Sequence, residues 1–262
     1  RSHGCEICKR WYTLIKALLI RRYWLFRHRF ISAILFVMFI PILSHLMLTT
    51  LMKNIYVYSL DKIPYEIWAF PGVILLISIM STYAVLYRDL FDLRIHKKSF
   101  ISITLAPYSK FYLVFGFLLA AIIESLIYGI ISMIILSLFL SQQLEWYAYL
   151  AIPVYGSIFL LLFGNLTLTL SILSERITTF ISITIMLFFF MIFGTGILFE
   201  FEFYPKMLGM ILSYNPFSLI ISELRGIVFL KQINWSWILI SVLTGLGWTW
   251  LNGFILKRSL KQ

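Results

Sequence analysis

The chain has 262 residues, of which 61% are hydrophobic and 13% are charged, and its formal net charge is +11. This apolar share lies well above that of a soluble globular domain, and several apolar runs exceed the roughly 20 residues that cross a bilayer. A soluble protein is therefore excluded. The sequence predicts an all-α polytopic membrane protein that forms a single transmembrane domain, 1–262.

The excess of positive charge raises the question of nucleic-acid binding. The basic residues, however, lie mostly beside the apolar runs, where membrane topology and anionic headgroups account for them. We therefore expect membrane lipid, and no nucleic acid, as the partner of this charge.

A Cys-x-x-Cys pair lies near the start of the chain. It consists of Cys5 and Cys8, and His3 is the other candidate ligand nearby. A closed zinc site needs four ligands. We therefore expect no metal here and interpret the pair as two reduced thiols.

Residues 9–29 have the spacing of an amphipathic helix. Apolar side chains recur on one face, while Lys9, Lys16 and Arg27 lie opposite. Arg22 interrupts the apolar face, and we expect its long side chain to extend to the headgroups. Such a helix lies in the membrane interface, and the same pattern also suits a helix that binds a partner.

Six apolar segments are long enough to cross a bilayer. Pro41 lies inside the first, and the third is long enough to tilt. In chain order, the predicted transmembrane helices are 30–52, 66–87, 111–140, 147–173, 178–198 and 235–256.

The region 199–233, between the fifth and sixth spans, is different. Asn215-Pro216 divides it into two apolar pieces that reach roughly 10 and 21 Å, less than the roughly 30 Å hydrocarbon core. Two short helices that meet at Asn-Pro indicate a re-entrant helical hairpin. The second piece carries Glu223 and Arg225, for which we expect an ion pair or a water-exposed end.

The basic residues are distributed unequally between the two sides that six spans define. Of the 22 Lys and Arg residues, 17 fall on the side of the termini and of the charged loop 88–110, and five on the other. The positive-inside rule therefore places both termini and the loop 88–110 in the cytoplasm, and the hairpin 199–233 outside.

The sequence contains no catalytic motif of a known kind. It has no His-Glu-x-x-His, no Gly-x-Ser-x-Gly and no Gly-x-x-x-x-Gly-Lys phosphate loop. We therefore expect no catalytic residue and no cofactor bound by this chain. If ATP drives it, the ATPase is another polypeptide.

Polar residues inside the spans are the remaining candidates for a role. Glu124 is the one acid deep inside a span, where an ionisable group is costly and is by default a functional candidate. A carboxyl group that packs against a neighbouring helix is the alternative. Asn165, Thr167 and Thr169 are expected to pack between helices.

Two short motifs accompany this order of elements. They are Leu105-Ala106-Pro107-Tyr108-Ser109 at the start of the third span, and Asn215-Pro216-Phe217 followed by Glu223-Leu224-Arg225-Gly226. Together with the interface helix, the six spans and the hairpin, they resemble the ABC type-2 transporter permeases, which are membrane subunits of drug and polysaccharide exporters. The resemblance covers nearly the whole chain. It departs from the family at Lys98-Ser99-Phe100-Ile101, where members often carry a Gly-Thr-Leu-Glu-like run.

The resemblance implies a homodimer, or a pair of similar chains, on two copies of an ABC nucleotide-binding ATPase subunit. That partner subunit would bind ATP and Mg²⁺. The loop 88–110 would hold a coupling helix that contacts the ATPase. The residues that the resemblance assigns to this helix are Arg88, Asp89, Asp92 and Arg94.

The resemblance also implies that the hairpin forms an outer gate and that a path opens between two protomers. The gate residues would be Pro205, Asn215, Pro216, Glu223 and Arg225. Side chains of the spans would line the path for the substrate: Tyr83, Tyr87, Glu124 and Phe188.

The sequence thus predicts the non-catalytic permease subunit of an ATP-driven exporter in the cell (inner) membrane. Its substrate would be amphipathic, a drug, lipid or glycolipid that leaves the cytoplasm or the inner leaflet. Export of a lipid-linked polysaccharide of the O-antigen type is the alternative. An intramembrane enzyme that uses Glu124 and a histidine, and a structural membrane protein, are two further alternatives.

Overall fold

The computed structural model describes residues 3–28, 30–50, 63–95 and 109–259, and it describes side chains within 13–28, 30–47, 63–95 and 109–258. The Ala106-Pro107 motif and the Lys98-Ser99-Phe100-Ile101 run lie outside the described residues.

The described chain is an assembly of helices, as its composition predicts, because a backbone in lipid must satisfy its own hydrogen bonds. The helices are α1 (His3–His28), α2 (Phe30–Ser44), α3 (Tyr65–Leu86), α4 (Lys110–Ser137), α5 (Trp146–Leu173), α6 (Ile177–Gly194), α7 (Lys206–Ser213), α8 (Pro216–Arg225) and α9 (Trp235–Ser259). Short π-helical stretches follow three of them, His45–Thr50 after α2, Tyr87–Asp92 after α3 and Gly226–Leu230 after α8.

Six helical segments are long and apolar enough to cross a membrane, which agrees with the predicted number. They are Phe30–Met47, Tyr65–Ile95, Lys110–Ser137, Trp146–Leu173, Ile177–Gly194 and Trp235–Arg258. The largest difference concerns the second span, which the sequence analysis ends at Tyr87. The helix continues to Ile95 because Leu90, Phe91 and Leu93 are buried on its inner face. The first charged residues of the predicted loop therefore belong to a helix.

The helix α3 lies at the centre of the bundle. In its most apolar window, 83% of the residues are buried, whereas the figure is 11% for the α2 span and 22% for α6. The neighbours of α3 are α4 and α5, and α9 packs against both of these. The outer helices α2, α6 and α9 thus present apolar side chains away from the core, as expected of surfaces in lipid or in contact with another chain.

The predicted break at Asn215-Pro216 is present. The helix α7 and the segment from α8 to Leu230 meet at an angle of 87°. The side chain of Asn215 caps α8 by accepting a hydrogen bond from the backbone N–H of Phe217 at 3.1 Å, and Pro216 occupies the first turn. The cap and the proline start a new helix at this position, so the two pieces form a bent pair.

Polar side chains join α5 to α9. Of the three polar residues that the sequence analysis expects between helices, Asn165 and Thr169 take part. Asn165 donates to Thr249 at 3.0 Å, Asn252 donates to the side-chain oxygen of Asn165 at 3.1 Å, and Thr169 donates to Asn252 at 2.7 Å. Thr167 is also buried, but its hydroxyl donates to a carbonyl of its own helix. The network fixes the register of two neighbouring spans.

We expect the substitution Asn252→Leu to lower the free energy of unfolding by about 1 kcal/mol, because it leaves the buried Asn165 short of a partner. Unfolding in mixed micelles with a denaturant measures this change. Thr244→Val is the matched control on α9, since its hydroxyl donates within that helix. Equal stabilities for the two variants would contradict a structural role for the network.

Candidate functional site

A cluster of charged side chains joins α1, α3 and α4. The guanidinium of Arg22 donates to the carbonyl of Val85 at 2.9 Å and to the carboxylate of Asp89, and its Nη1 lies 3.3 Å from Oε2 of Glu124. Arg21 lies 3.4 Å from the other oxygen of Asp89. Arg22 is 6% exposed and Asp89 is 3% exposed. The charges therefore compensate one another inside the protein.

Arg22 reaches this cluster because α1 packs closely against α4. Gly116 on α4 leaves room for α1, since a Cβ there would lie 3.1 Å from the side chain of Leu18. Arg22 follows Leu18 by one turn, and Glu124 follows Gly116 by about two turns, so the close approach brings the two charges together. The expectation that Arg22 extends to the headgroups is wrong. A buried guanidinium is stable here because two carboxylates face it.

Glu124 is therefore not a lone acid, because its carboxyl group faces the neighbouring helix α1. Its partner is an arginine more than a hundred positions earlier in the chain. The sequence analysis noted that Arg22 interrupts an apolar face but assigned its side chain to the headgroups instead of to a buried acid. A positive charge in that position and a single acid in an apolar span are each costly alone, and together they form a pair.

The four residues assigned to the coupling helix lie on the extension of α3, and two of them have clear partners inside the chain. Asp89 is held by Arg21 and Arg22. Arg94 donates to the carbonyls of Ile172 and Ser174, where α5 ends. The last carbonyls of a helix lack partners within it, so an arginine satisfies them well. Contact of these residues with an ATPase stays a prediction.

Three of the four residues assigned to the substrate path come together in an aromatic cluster. Tyr83 lies against Phe188, with ring centres 5.7 Å apart, and Tyr87 lies 5.6 Å from Phe180. Phe180, which the sequence analysis does not name, stacks on Phe91 at 4.5 Å and on Tyr83 at 5.9 Å. These rings join the start of α6 to α3. Glu124 is not part of this cluster, because it lies with Arg22 between α1 and α4.

Arg225 holds the chain that follows α6. It donates to the carbonyl of Gly196 at 2.6 Å and to that of Ile197 at 2.8 Å, and its guanidinium carbon lies 3.4 Å from the ring centre of Trp68. Gly196 has φ +76°, a conformation that suits glycine. A point charge in place of the planar guanidinium would not make both hydrogen bonds and the stacking contact.

The expected ion pair between Glu223 and Arg225 is not formed. Glu223 accepts a hydrogen bond from the backbone N–H of Asn234 at 3.1 Å instead, whereas Arg225 binds carbonyls. The reason is geometric, because residues two apart on a helix do not face each other. Of the other residues assigned to the gate, Pro205 precedes α7, and Asn215-Pro216 forms the bend before α8.

A cavity of about 990 Å³ lies beside this bent pair. Its lining includes three acids, Glu200, Glu202 and Glu223, together with Arg225. Just after the π-helical stretch, Lys231 donates to the Glu145 carboxylate at 3.1 and 3.4 Å, and this hydrogen bond raises the pKa of Lys231. The end of the bundle near the bent pair is therefore polar and open.

Among the described residues, His, Cys, Asp and Glu form no group of three or more that could hold a metal ion. The side chains of Cys5 and Cys8 lie outside the described part of the chain.

The family comparison agrees with this arrangement of spans and bent pair. The family model of the ABC-2 type transporter matches residues 13–229. Since the match covers most of the chain, the chain belongs to the ABC-2 type transporter family. It is a multi-pass membrane protein and an ABC permease subunit, and membership implies association with an ABC ATPase. A comparison with curated proteins found no match.

The buried pair of Arg22 and Asp89 predicts strong energetic coupling. We expect Arg22→Met and Asp89→Leu each to destabilise the protein by about 3 kcal/mol, because each removes the nearest opposite charge from a buried charged group. The double variant should lose clearly less than the sum of the two changes, and a double-mutant cycle from denaturant unfolding measures the difference.

Glu145→Gln is the control for this cycle, since it removes an exposed ion pair with Lys231 and should not change stability measurably. Additive effects of Arg22→Met and Asp89→Leu would contradict the pairing.

Proposed function

We propose that this chain is the permease subunit of an ATP-driven exporter, and that it moves an amphipathic substrate out of the cytoplasm or the inner leaflet. The observation that carries the proposal is the family match over residues 13–229. The direction of transport and the nature of the substrate go beyond that match. They rest on the resemblance to drug and polysaccharide exporters and on the aromatic lining near α3 and α6.

In this proposal the energy comes from a separate subunit. Two copies of an ABC ATPase bind ATP and Mg²⁺, and this chain binds no cofactor. The absence of a phosphate loop from the sequence supports this division of labour. The chain lies in the cell (inner) membrane. Both termini and the end of α3 face the cytoplasm, as the distribution of basic residues favours.

The extension of α3 is suited to carry a movement from the ATPase into the membrane. One helix runs from Tyr65 at the far end of the bundle to Ile95. Near its end, Asp89 is attached to α1, and Arg94 is attached to the end of α5. A ligand shifts an equilibrium only by as much as its affinities for the two states differ. ATP binds the ATPase, so the difference reaches the permease only if the connection between the two subunits is stiff. We therefore assign contact with the ATPase to the half-exposed Asp92, and transmission to Asp89 and Arg94.

The substrate path would lie beside α6, in the interface of a homodimer. Tyr83, Tyr87 and Phe188 form one part of an aromatic surface near that helix. The middle of α6 is exposed, with Met186 at 74% and Phe189 at 60%, so it offers apolar area to a second copy or to the substrate. The cavity beside the bent pair would be the outer gate.

Co-purification tests the proposal most directly. We expect a tagged chain, extracted from its native membrane in mild detergent, to bring down an ATPase that carries a phosphate loop. In proteoliposomes, the complex should hydrolyse ATP faster when its substrate is present. If no such ATPase accompanies a folded, well-expressed chain, the exporter proposal has to be abandoned.

The position of Asp92 gives a specific prediction. We expect Asp92→Lys to reduce substrate-stimulated ATP hydrolysis several-fold while the protein still inserts, because the change reverses charge at the assigned contact with the ATPase. Arg176→Glu is the matched control, since it reverses an exposed charge on the same expected side of the membrane. The assignment fails if both variants keep the stimulation of the unsubstituted complex.

A further inference from the structure

Three parts of the chain bound the cavity of about 990 Å³ beside the bent pair. Trp68 comes from the start of α3, and Glu200 and Glu202 follow α6. Ser218 lies on α8, and Trp235 begins α9. We name it the outer cavity, because the expected topology places this end of the bundle outside. Its volume reaches the upper end of the range for small-molecule pockets.

The hydroxyl of Ser218 lines the outer cavity and is unused. Ser218 is 1% exposed, and its Oγ has no hydrogen-bond partner in the part of the chain that the structure describes. Ser213, just before the bend, differs in that its hydroxyl donates to the carbonyl of Met210 at 2.8 Å. Buried polar atoms in proteins are nearly always hydrogen-bonded, and a hydroxyl oxygen accepts as well as donates. The buried hydroxyl therefore indicates a polar ligand in the cavity.

The charge of the lining favours a cation. The described lining contains three carboxylates, those of Glu200, Glu202 and Glu223, and one basic side chain, that of Arg225. The guanidinium is bound to two backbone carbonyls and to the ring of Trp68, and its charge attracts that of Glu200. Glu223 accepts from a backbone N–H, which is neutral and leaves the carboxylate charge in place. The lining therefore carries two negative charges in excess.

Basic residues outside the lining do not offset this excess. Lys231 follows the π-helical stretch and is paired with Glu145. Lys206 begins α7 and is exposed, so that water and salt screen its charge. A cation from solution is therefore the partner that the cavity lacks.

The walls of the cavity suit an organic cation better than a metal ion. Aromatic rings attract ammonium groups to their faces and also accommodate an apolar body. Among the described residues, His, Cys, Asp and Glu form no group of three or more that could chelate a metal. The aromatic residues of the lining are Trp68, Phe199, Phe201, Phe229 and Trp235.

We propose that the outer cavity binds one organic amine per chain, a molecule that joins a protonated primary amino group to an aromatic body. Its ammonium group is balanced by the excess carboxylates and donates to Ser218. Ser218 and Glu223 are five positions apart on α8, about 7.5 Å along the axis, so one small ligand reaches both. The site is separate from the aromatic surface formed by Tyr83, Tyr87 and Phe188.

This inference deepens the proposed function, because it names the class of substrate that the outer gate would release. The role of the amine as a substrate rests on the proposed transport. Its binding does not, because the residues that line the cavity belong to one chain.

Monodansylcadaverine, a fluorescent aromatic primary amine, is the probe. Fluorescence anisotropy measures its binding to the purified full-length chain in micelles, with the signal of empty micelles subtracted. We expect one site per chain. The N-acetyl derivative, which has lost the charge, should bind at least about tenfold more weakly. The N,N,N-trimethyl derivative keeps the charge but has no N–H to donate, so it should bind with intermediate affinity.

Variants locate the bound amine. Glu223→Gln keeps an oxygen for the N–H of Asn234 and removes the charge, so we expect a loss of affinity of about fivefold. Glu145→Gln is the matched control, since it removes an acid at the same end of the bundle but outside the lining. Glu202→Gln, at an exposed position, repeats the test if Glu223→Gln does not fold.

The hydroxyl is tested separately. Ser218→Ala should weaken the primary amine about fivefold and leave the affinity of the trimethyl derivative unchanged, because only the primary amine donates to Oγ. Ser213→Ala is its control, since that hydroxyl bonds within its own helix.

Three results would overturn the proposed site. They are equal affinity for the amine and its N-acetyl derivative, unchanged binding by both glutamate variants, and displacement of the amine by micromolar calcium. In the complex with an ATPase, the amine should also stimulate ATP hydrolysis, whereas its N-acetyl derivative should not. Binding without stimulation would overturn the role as a substrate. Failure to find an ATPase would instead contradict the proposed function alone.

Discussion

The buried contact of Arg22 with Asp89 and Glu124 is the constraint on which the arrangement of this protein depends. An amphipathic helix would otherwise be attached to the bundle by its apolar face alone. The ion pairs add directional bonds from α1 to α3 and to α4. Because breaking one of them leaves an uncompensated charge in a buried position, α1 cannot leave the bundle without a large energetic penalty. The three helices therefore behave as one unit.

The part of the fold that local sequence determines was predictable. The number of spans follows from the runs of apolar residues, and the break before α8 follows from Asn215-Pro216. Both signals lie within one continuous stretch of the sequence. The partners of Arg22, Arg94 and Arg225 were not predictable. Arg22 meets Asp89 across 67 positions, and Arg94 meets Ser174 across 80. Helical periodicity shows which side of a helix is apolar, but it does not show which helix packs there.

The extension of α3 shows how charged residues close to a membrane are misread from sequence. The run from Arg88 to Ile95 has the composition of a loop, but Leu90, Phe91 and Leu93 are buried and keep it helical. Two of its charges are turned towards α1 and α5, and so they attach the end of the central helix to its neighbours. A charged run beside a span can thus be part of the packing of the bundle.

The helix α6 packs against the bundle along one face, where Phe188 contacts Tyr83, and is exposed along the other. At its start, Phe180 stacks on Phe91 and Tyr83 of α3 and its extension. Beyond its end, Arg225 binds the carbonyls of Gly196 and Ile197. A helix that is exposed along one face can change its tilt when a contact at either end moves, because little packing on that face opposes the motion. A displacement of the α3 extension would therefore reach α6 through aromatic rings at one end, and the bent pair through the guanidinium of Arg225 at the other.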